Sequence, residues 1–341
     1  MDKIDFVITW VDGNDPEWQA EKAKYKGVVD GDQRINRYRD WDNLRYWFRG
    51  IEKFAPWVNK IYFVTWGHQP NWLNTENEKL VIVNHKDFIP EEYLPTFSCR
   101  PIELNLHRIA GLSEQFVYFN DDMFLIDGVQ PEDFFKNGKP CDAAILDAIV
   151  FTALGKSNER LSLDSLYITP AMNTAIINRN FNKKNAIKNN WRLWFSLKNG
   201  KDLMKTLLLL PWKEFTGIKN QHLPYSYVKK TFEELWEKEP EALNAACEHK
   251  FRKTTDVSSR LFSYWQVVKG YIEPRSPKIG KLYSITSDSN MTNIIKKVIS
   301  NQAYKMICIN DEYDGDDYEA VRDIINAAFQ SILENKSSFE T

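Results

Sequence analysis

Two adjacent carboxylates directly after an apolar run are the strongest chemical signal in this chain. The run Phe116–Phe119 leads straight into Asn120, Asp121 and Asp122. Two carboxylates at the end of a strand repel each other unless a cation or hydrogen-bond donors compensate them, and their oxygens suit Mg²⁺ or Mn²⁺. The pattern is therefore suited to a divalent metal held between protein and phosphate. The alternative is a surface turn in which the aspartates cap a helix.

A second set of residues could bind a phosphate-bearing ligand. Asp12 and Gly13 follow the first apolar run, where a glycine lets the backbone approach a nucleotide and Asp12 would accept hydrogen bonds from a base or ribose. Arginine suits bidentate recognition of phosphate, and four arginines crowd the start of the next helical pattern. They are Arg37, Arg39, Arg45 and Arg49. A strand-to-helix turn and a solvated helix face would give the same two patterns.

None of the five histidines forms a zinc-type ligand pair, but one of them is placed for acid–base chemistry. His222 lies in a polar turn before a predicted helix, where a histidine can act as a general base near neutral pH. His249, Lys250 and Arg252 offer donors to anionic oxygens. Asp311 follows a late apolar run and is a further candidate carboxylate for a phosphate or metal site. A structural histidine and an exposed charge cluster are the alternatives.

The elements that must position these residues alternate between strand and helix patterns. Apolar residues at helical spacing predict a helix from Leu44 to Ile51, between strands that are also predicted from apolar runs. The alternation favours an α/β fold with a mainly parallel sheet and helices on both faces. Ligands of such sheets bind beyond the carboxyl ends of the strands, where Asp12 and Asn120 lie. The predicted strands are 4–11, 61–65, 80–83, 116–119 and 304–309, and further helices are predicted at 102–109, 225–247, 257–268 and 318–333.

The segment from Arg179 to Lys219 differs from the rest of the chain in its charge. It holds ten lysines and arginines against only Asp202 and Glu214, with tryptophans and phenylalanines between them. We predict a basic, mainly helical, amphipathic insertion here. The chain is accordingly divided into an α/β core at 1–150, the insertion at 151–220, and a C-terminal part at 221–341 that completes the core.

Overall composition excludes several classes of protein. The 45 Lys and Arg residues nearly balance the 47 Asp and Glu residues, which argues against a nucleic-acid partner. Scattered cysteines, an N-terminus unlike a signal peptide, and no apolar run near ~20 residues predict a reduced, cytoplasmic chain without a membrane span. Of the 12 tryptophans, Trp191, Trp194 and Trp212 could stack on sugar rings, whereas Trp47 is expected in the core.

Four blocks of the sequence, in order, resemble the Stealth family of sugar-1-phosphate transferases of microbial polysaccharide synthesis. The first runs from Ile4 to Trp18, and the second from Arg37-Tyr38-Arg39-Asp40 through His107-Arg108 to Asn120-Asp121-Asp122. The third runs from His222-Leu223-Pro224-Tyr225 to His249-Lys250-Phe251-Arg252, and the fourth is Ile307-Cys308-Ile309-Asn310-Asp311. Together the blocks touch about half of the chain, with family-like spacing.

The resemblance implies a GT-A-like α/β fold, a nucleotide sugar as donor, and Mg²⁺ or Mn²⁺ as cofactor. The expected donor is a UDP-HexNAc or UDP-hexose, and the expected acceptor is a hydroxyl of a growing cell-surface polysaccharide or lipid-linked oligosaccharide. Transfer of sugar 1-phosphate would form a phosphodiester and release UMP. By matching position, His222 would be the base and Arg252 would contact the phosphate. Asp122 and Asp121 would hold the metal, with Asp311 as a weaker candidate.

Ten further residues are predicted to contact the substrate. They are Trp10, Asp12, Gly13, Arg39, Asp42, Arg45, Arg108, Asn120, Arg192 and His249. Trp41 stands where relatives often carry a smaller polar residue, which leaves open which neighbouring aspartate plays the family's role. The basic segment is least like the shared blocks, so we expect acceptor choice there. Peripheral contact of residues 179–219 with the inner face of the plasma membrane is a further hypothesis.

Two other functions stay open at this point. An ordinary metal-dependent GT-A glycosyltransferase would use the same fold and the same acidic pair, but it would release UDP instead of UMP. A non-catalytic carbohydrate-binding protein would stack sugars on its aromatic residues. That second alternative leaves Asp121, Asp122 and His222 without a role.

Overall fold

The computed structural model describes residues 3–25, 27, 38–149 and 160–341, and in the helix that opens at Arg160 the side chains are described from Ile168 on. Arg37, one of the four arginines predicted to bind a diphosphate, lies outside the described residues. The first part of the predicted insertion, 151–159, lies outside them as well.

The described chain alternates short strands with helices. The strands are β1 (Ile4–Thr9), β2 (Ile61–Thr65), β3 (Leu80–Asn84), β4 (Gln115–Phe119), β5 (Met123–Leu125), β6 (Phe135–Lys136), β7 (Lys139–Asp142), β8 (Tyr225–Val228), β9 (Glu273–Pro274), β10 (Gly280–Ile285) and β11 (Met306–Asp311). The helices are α1 (Pro16–Ala23), α2 (Leu44–Phe54), α3 (Cys99–Asn105), α4 (Arg160–Asn180), α5 (Lys183–Asn189), α6 (Trp191–Trp194), α7 (Leu203–Leu209), α8 (Lys229–Lys238), α9 (Pro240–Glu248), α10 (Arg260–Lys269), α11 (Ser289–Ser300) and α12 (Tyr318–Ile332).

The central sheet has five strands in the order β3-β2-β1-β4-β8. Strands β1 to β4 run parallel, and β8 lies antiparallel to β4 at the edge. The residues of β1 and β4 are almost all buried, as expected for strands that are covered on both faces. The predicted α/β class with a mainly parallel sheet is therefore confirmed.

A second sheet joins the acidic turn to the last strand of the chain. Its order is β10-β11-β5, with β10 parallel and β5 antiparallel to β11. Strand β5 follows the turn at Asp121 and Asp122 directly, and the Ile309 amide donates to the Asp122 carbonyl over 2.8 Å. Asp311, at the end of β11, is thereby brought to the same cleft as the acidic turn.

The helix predicted from apolar spacing is α2, and it packs against this second sheet. Its buried residues include Leu44, Trp47, Phe48 and Ile51. Trp47 is 1% exposed, which confirms its predicted place in the core. A Cβ added at Gly50 would lie 3.0 Å from a backbone oxygen of β5, so this glycine allows the close approach of helix and strand.

The prediction of one helix over 225–247 is wrong at its start. Tyr225–Val228 form β8, because their backbone pairs with β4 and all four side chains are buried. Helices α8 and α9 begin only at Lys229 and Pro240. Pairing at the sheet edge outweighs the helical pattern here, since strand preference depends mainly on the packing that a position offers. Sequence analysis also assigned no element to β10 or α11.

The basic segment is mainly helical, as predicted, and α5, α6 and α7 follow one another with a 3-10 turn at Leu197–Asp202. Trp194 is fully buried beside Phe215, so the expectation that it stacks on a sugar is wrong. The proposed domain boundaries stay a prediction. Within the described ranges, no helix is both long and apolar enough to cross a bilayer.

Candidate functional site

A cleft of about 1370 Å³ opens where the carboxyl ends of β1 and β4 face the end of β11. Its walls also take in residues of α3, α4 and α10, so it is built from parts of the chain that are far apart in sequence. The predicted site residues that line it are Trp10, Arg39, Asn120, Asp121, Asp122, His222, Arg252 and Asp311. The fold therefore brings together the predicted metal, base and phosphate-binding residues.

The acidic pair in the cleft is only partly compensated by positive charge. Desolvation in the cleft and the nearby charges of Asp122 and Asp40 raise the pKa of Asp121 to about 7, although Arg252 acts in the opposite direction. The Oδ1 atom of Asp122 is buried and has no hydrogen-bond partner within the described part of the chain. A divalent cation stabilises carboxylates that repel each other in this way. Asp121 and Asp122 therefore fit the predicted Mg²⁺ or Mn²⁺.

A second set of ligand atoms shares Asp122. Single ligand atoms of Asp122, His222 and Cys308 all lie within 4.8 Å of one another. Burial and the charge of Asp122 hold the pKa of the Cys308 thiol well above its usual range. Sulfur is also a softer ligand than oxygen, and it suits Mg²⁺ and Mn²⁺ less well than a carboxylate does. The oxygen ligands of the acidic pair are thus the better match to a hard cation.

Asp311 lies in the cleft but is already engaged by other groups. Its carboxylate accepts hydrogen bonds from Trp41 Nε1 at 3.1 Å and from the Tyr313 amide at 3.0 Å. The guanidinium of Arg39 is 3.6 Å from the same carboxylate and also stacks on Tyr318. The unusual tryptophan at position 41 thus positions an aspartate. This engagement favours a role for Asp311 in holding Arg39, and its metal role stays a prediction.

His222 faces the acidic pair from the turn before β8. Its φ of 50° and a 2.6 Å hydrogen bond from its amide to Asn220 Oδ1 define that turn. The Nε2 atom is 3.7 Å from Asp122 Oδ2, while Nδ1 is 3.0 Å from an Arg260 nitrogen and 3.1 Å from the Tyr225 hydroxyl. A guanidinium only donates, so Nδ1 accepts from Arg260. The neutral ring then carries its proton on Nε2, toward Asp122.

Arg252 belongs to a buried network around Glu103 on α3. Glu103 accepts hydrogen bonds from Arg100 at 3.2 Å and from Ser259 Oγ at 2.9 Å. Burial opposes ionisation of Glu103, but the charges of Arg100 and Arg252 outweigh it and hold its pKa below the usual range. Arg252 in turn donates to Cys99 Sγ at 2.9 Å. The carboxylate therefore fixes positive charge beside the acidic pair.

Comparison with known proteins assigns the family. The models of Stealth conserved regions 1 and 2 match residues 2–27 and 37–142. The capsular polysaccharide phosphotransferase WcwK of Streptococcus pneumoniae is 41% identical over 100% of this chain and 98% of its own length. The chain belongs to the Stealth family. A receptor polysaccharide phosphotransferase, WefC of Streptococcus oralis, is 41% identical over the full length of both chains. The exopolysaccharide phosphotransferase cps2G of Lactiplantibacillus plantarum is 37% identical over 99% of this chain and 96% of its own.

Solved structures give a more distant likeness. The galactosyltransferase LgtC, in complex with donor and acceptor sugar analogs, aligns over 95% of both chains with a TM-score of 0.35 and 10% identity. Mouse xyloside xylosyltransferase 1 aligns over 92% of this chain and 98% of its own with a TM-score of 0.33 and 10% identity. The Stealth assignment rests on the sequence relatives alone.

Two residues of the first Stealth region lie beside the cleft and not in its lining. The Asp12 amide donates to His68 Nε2 at 2.7 Å, and the Asp12 carboxylate accepts from the Asn14 amide at 2.8 Å. A Cβ at Gly13 would lie 2.0 Å from the Tyr38 carbonyl oxygen. The glycine therefore allows two chain segments to pass closely, and the Asp12 carboxylate closes a turn.

Five other predicted substrate-binding residues also lie outside the cleft lining in this Stealth chain. Their partners are Asp42 with Arg45 at 3.8 Å, Arg45 with the Trp72 ring, Arg108 with the Trp236 ring, Arg192 with the Trp191 ring, and His249 with Asp256 at 2.6 Å. Arg49, named with the diphosphate arginines, instead binds Glu340 at 2.7 Å and is buried. Each of these contacts gives the residue a local structural role, and their substrate roles stay predictions.

Sequence reasoning missed several charged residues that line the cleft, among them Arg100, Glu103 and Arg260. Arg100 and Glu103 are three residues apart on one helix, a spacing that places both on one face. This spacing indicates an ion pair within a helix, but the same spacing is also common on solvated helix faces. Arg260 opens α10 and contacts His222 only through the tertiary fold, so no local pattern identified it.

Proposed function

We propose that this protein transfers sugar 1-phosphate from a nucleotide sugar to a hydroxyl of a growing cell-surface polysaccharide. The expected donor is a UDP-HexNAc or UDP-hexose, and UMP is the leaving group. The observation that carries the proposal is the meeting of a pair of adjacent carboxylates, a histidine and two arginines in one cleft. The names of the full-length relatives, all polysaccharide phosphotransferases, support the same reaction class.

The charges of the cleft match a reaction at phosphorus. Asp121 and Asp122 would hold Mg²⁺ or Mn²⁺, which neutralises phosphoryl charge when it is bound. Arg252 and Arg260 line the cleft beside this pair and can donate to phosphoryl oxygens. Negative charge that accumulates on these oxygens in the transition state is stabilised by donors that are already in place. Glu103 supplies a buried negative charge near Arg252, which favours the position of this guanidinium in the cleft.

The proposed bond changes are simple to state. The acceptor oxygen forms a bond to the phosphorus next to the sugar, and the bond from that phosphorus to the bridging oxygen of the diphosphate breaks. UMP leaves with that oxygen. The sugar C1–O bond stays intact, so the anomeric configuration is retained and a phosphodiester results.

His222 is the residue that we assign to the acceptor proton. In the arrangement with Arg260 on Nδ1, the ring proton sits on Nε2, and Nε2 is not yet a base. A diphosphate in the cleft would draw the Arg260 guanidinium onto its oxygens. The ring can then carry its proton on Nδ1, beside the Tyr225 hydroxyl. The unprotonated Nε2 accepts the proton of the acceptor substrate's hydroxyl.

The nucleotide product tests the proposal. The purified protein is incubated with Mg²⁺, a panel of UDP-sugars and a polysaccharide or lipid-linked acceptor, and the nucleotides are separated. We expect UMP, together with a new phosphodiester resonance in the ³¹P NMR spectrum of the product. Release of UDP with no new phosphodiester would instead identify an ordinary glycosyltransferase. The Asp122→Asn variant serves as the control for background hydrolysis of the donor.

A further inference from the structure

One stretch of the insertion exposes an unusual number of large apolar side chains. Among the described residues, six of the most exposed large hydrophobic side chains lie between positions 191 and 212. They are Trp191, Leu197, Met204, Leu207, Leu208 and Trp212, which we call the apolar patch. Leu197 is 88% exposed and Leu208 is 67% exposed. Clusters of this kind on a soluble surface indicate an interaction site, whereas single exposed apolar residues do not.

Helix α7 lies in the patch and exposes three of its large apolar side chains. Its sequence is Leu-Met-Lys-Thr-Leu-Leu-Leu, and its buried residue is Thr206, whose hydroxyl accepts a hydrogen bond from the Leu146 amide at 3.1 Å. Leu209 is half-buried and packs against the core, whereas Met204, Leu207 and Leu208 face solvent. A surface helix of a globular protein normally carries polar residues on its solvent side. The outer side of α7 is therefore more apolar than contact with water alone requires.

Contacts on the inner side hold the patch in this orientation. The Lys183 ammonium, which is buried, donates to the carbonyls of Leu209 at 2.6 Å and Trp212 at 2.8 Å. Asn199 Nδ2 donates to the Ala144 carbonyl at 2.9 Å. The apolar side chains are thus presented outward by a segment whose backbone is tied to the body of the protein.

The charges around the patch are mainly positive. Exposed basic residues of this surface are Lys184, Lys188, Arg192, Lys198, Lys201, Lys205 and Lys213. Asp147 pairs with Lys205 at 3.0 Å. The acidic residues between 179 and 219 are Asp202, which is buried and paired with Lys219, and Glu214. Tryptophan and leucine on a face that is rimmed by lysine and arginine are typical of proteins that lie in the interface of a bilayer with anionic lipids.

We propose that the apolar patch docks this protein on a membrane surface that carries anionic lipids. Only ten positions separate Trp212 from His222, and Ile218 between them bridges to Leu146, next to the end of the patch. A stretch of ten residues spans at most about 35 Å, so docking through the patch would keep His222 within that distance of the membrane-bound segment. An acceptor that is anchored in the lipid would then meet the cleft without leaving the bilayer. This last consequence rests on the proposed function, whereas the docking itself does not.

The same observations argue against two other occupants. A second copy of this chain, related by a two-fold axis, would bring the same basic residues opposite each other, which repels. A glycan would stack on Trp191 and Trp212, but it gives no use to Met204, Leu207 and Leu208. A lipid surface can contact the leucines through its apolar region and the lysines through its anionic headgroups.

Vesicle sedimentation of the full chain, without substrate, tests the docking. The probe is a set of vesicles of phosphatidylcholine alone and of phosphatidylcholine mixed with phosphatidylglycerol. We expect binding to the mixed vesicles that weakens with added salt, and a fall of about a hundredfold in affinity for Leu207→Gln/Leu208→Gln, about tenfold for each leucine. The matched control is Ile294→Gln/Ile324→Gln, which changes two exposed apolar residues outside the patch and should leave binding unchanged.

Clear results would overturn the proposal. They are equal sedimentation of the wild type with and without phosphatidylglycerol, no sedimentation at all, or equal losses in the patch variant and its control. A wild type that is dimeric in light scattering and becomes monomeric in Leu207→Gln/Leu208→Gln would assign the patch to a second copy. Activity on a water-soluble acceptor should be the same in the patch variant and the wild type, so failure of docking and failure of the proposed reaction are distinguished.

Discussion

Glu103→Gln is expected to lower both the stability and the catalytic activity of the protein. The carboxylate is buried and accepts hydrogen bonds from Arg100 at 3.2 Å and Ser259 at 2.9 Å. Glutamine keeps the shape and one acceptor oxygen but removes the negative charge that the arginines face. Breaking a buried ion pair on one side leaves an uncompensated charge, so we expect a loss of about 3 kcal/mol in the free energy of unfolding. Arg252 also loses its counter-charge, and a shift of this guanidinium by about 1 Å should lower kcat/KM by about 10²-fold.

A second buried ion pair supplies the control. Glu340 accepts from Arg49 at 2.7 and 2.8 Å, and both residues are buried, but this pair lies outside the cleft lining. Glu340→Gln should therefore lose a similar free energy of unfolding in urea and keep its kcat/KM, when both variants are assayed at a temperature where they are folded. Equal kcat/KM in Glu103→Gln and the wild type, or equal losses of kcat/KM in the two variants, would refute the assignment of Glu103 as the residue that positions Arg252.

Three further outcomes are expected. His222→Ala should lower kcat about 10²–10⁴-fold while calorimetry shows nearly unchanged affinity for the nucleotide sugar, and transfer near the wild-type rate would exclude His222 as the base. Removal of divalent metal with EDTA should abolish turnover, and Mg²⁺ or Mn²⁺ should restore it; turnover that survives EDTA argues against the metal at Asp121 and Asp122. Burial, with Arg108 and Lys229 nearby, lowers the pKa of His107 to about 3. Below about pH 6.5 the unfolded chain takes up a proton that the folded chain does not, so stability falls as pH drops toward 3. His107→Gln should reduce the change in the free energy of unfolding between pH 6.5 and 5, measured by urea titration, by about 2 kcal/mol, and an unchanged pH dependence would contradict the lowered pKa.

Sequence reasoning captured those features that depend on local pattern. The buried strands β2 and β4 follow from short apolar runs, and α2 follows from helical spacing of Leu44, Trp47 and Ile51. The acidic turn was identified because it directly follows an apolar strand, where parallel sheets bind ligands, and His222 because it lies in a polar turn and matches the position of the base in the Stealth family. The structure places both in the same cleft.

The features that sequence reasoning missed depend on contacts between distant segments. Glu103 looks like any charged residue on a helix until the fold brings Arg252 and Ser259 against it. Arg260 meets His222 only because α10 packs against β8. Gly13 is a case in which a local pattern was misleading. Its position predicted a loop that binds a nucleotide, whereas the structure shows that a glycine is required there because the backbone of Tyr38 lies close to it.

The central claim is that phosphorus, and not only sugar, moves from donor to acceptor. A UDP-sugar labelled with ³²P in the phosphate next to the sugar tests this directly in one incubation with the polysaccharide acceptor and Mg²⁺. For transfer of sugar 1-phosphate, we expect the label to appear in the polysaccharide in a form that resists phosphomonoesterase. Each mole of incorporated label should be accompanied by one mole of unlabelled UMP. Label that stays in the nucleotide fraction as UDP while sugar enters the polysaccharide would contradict it.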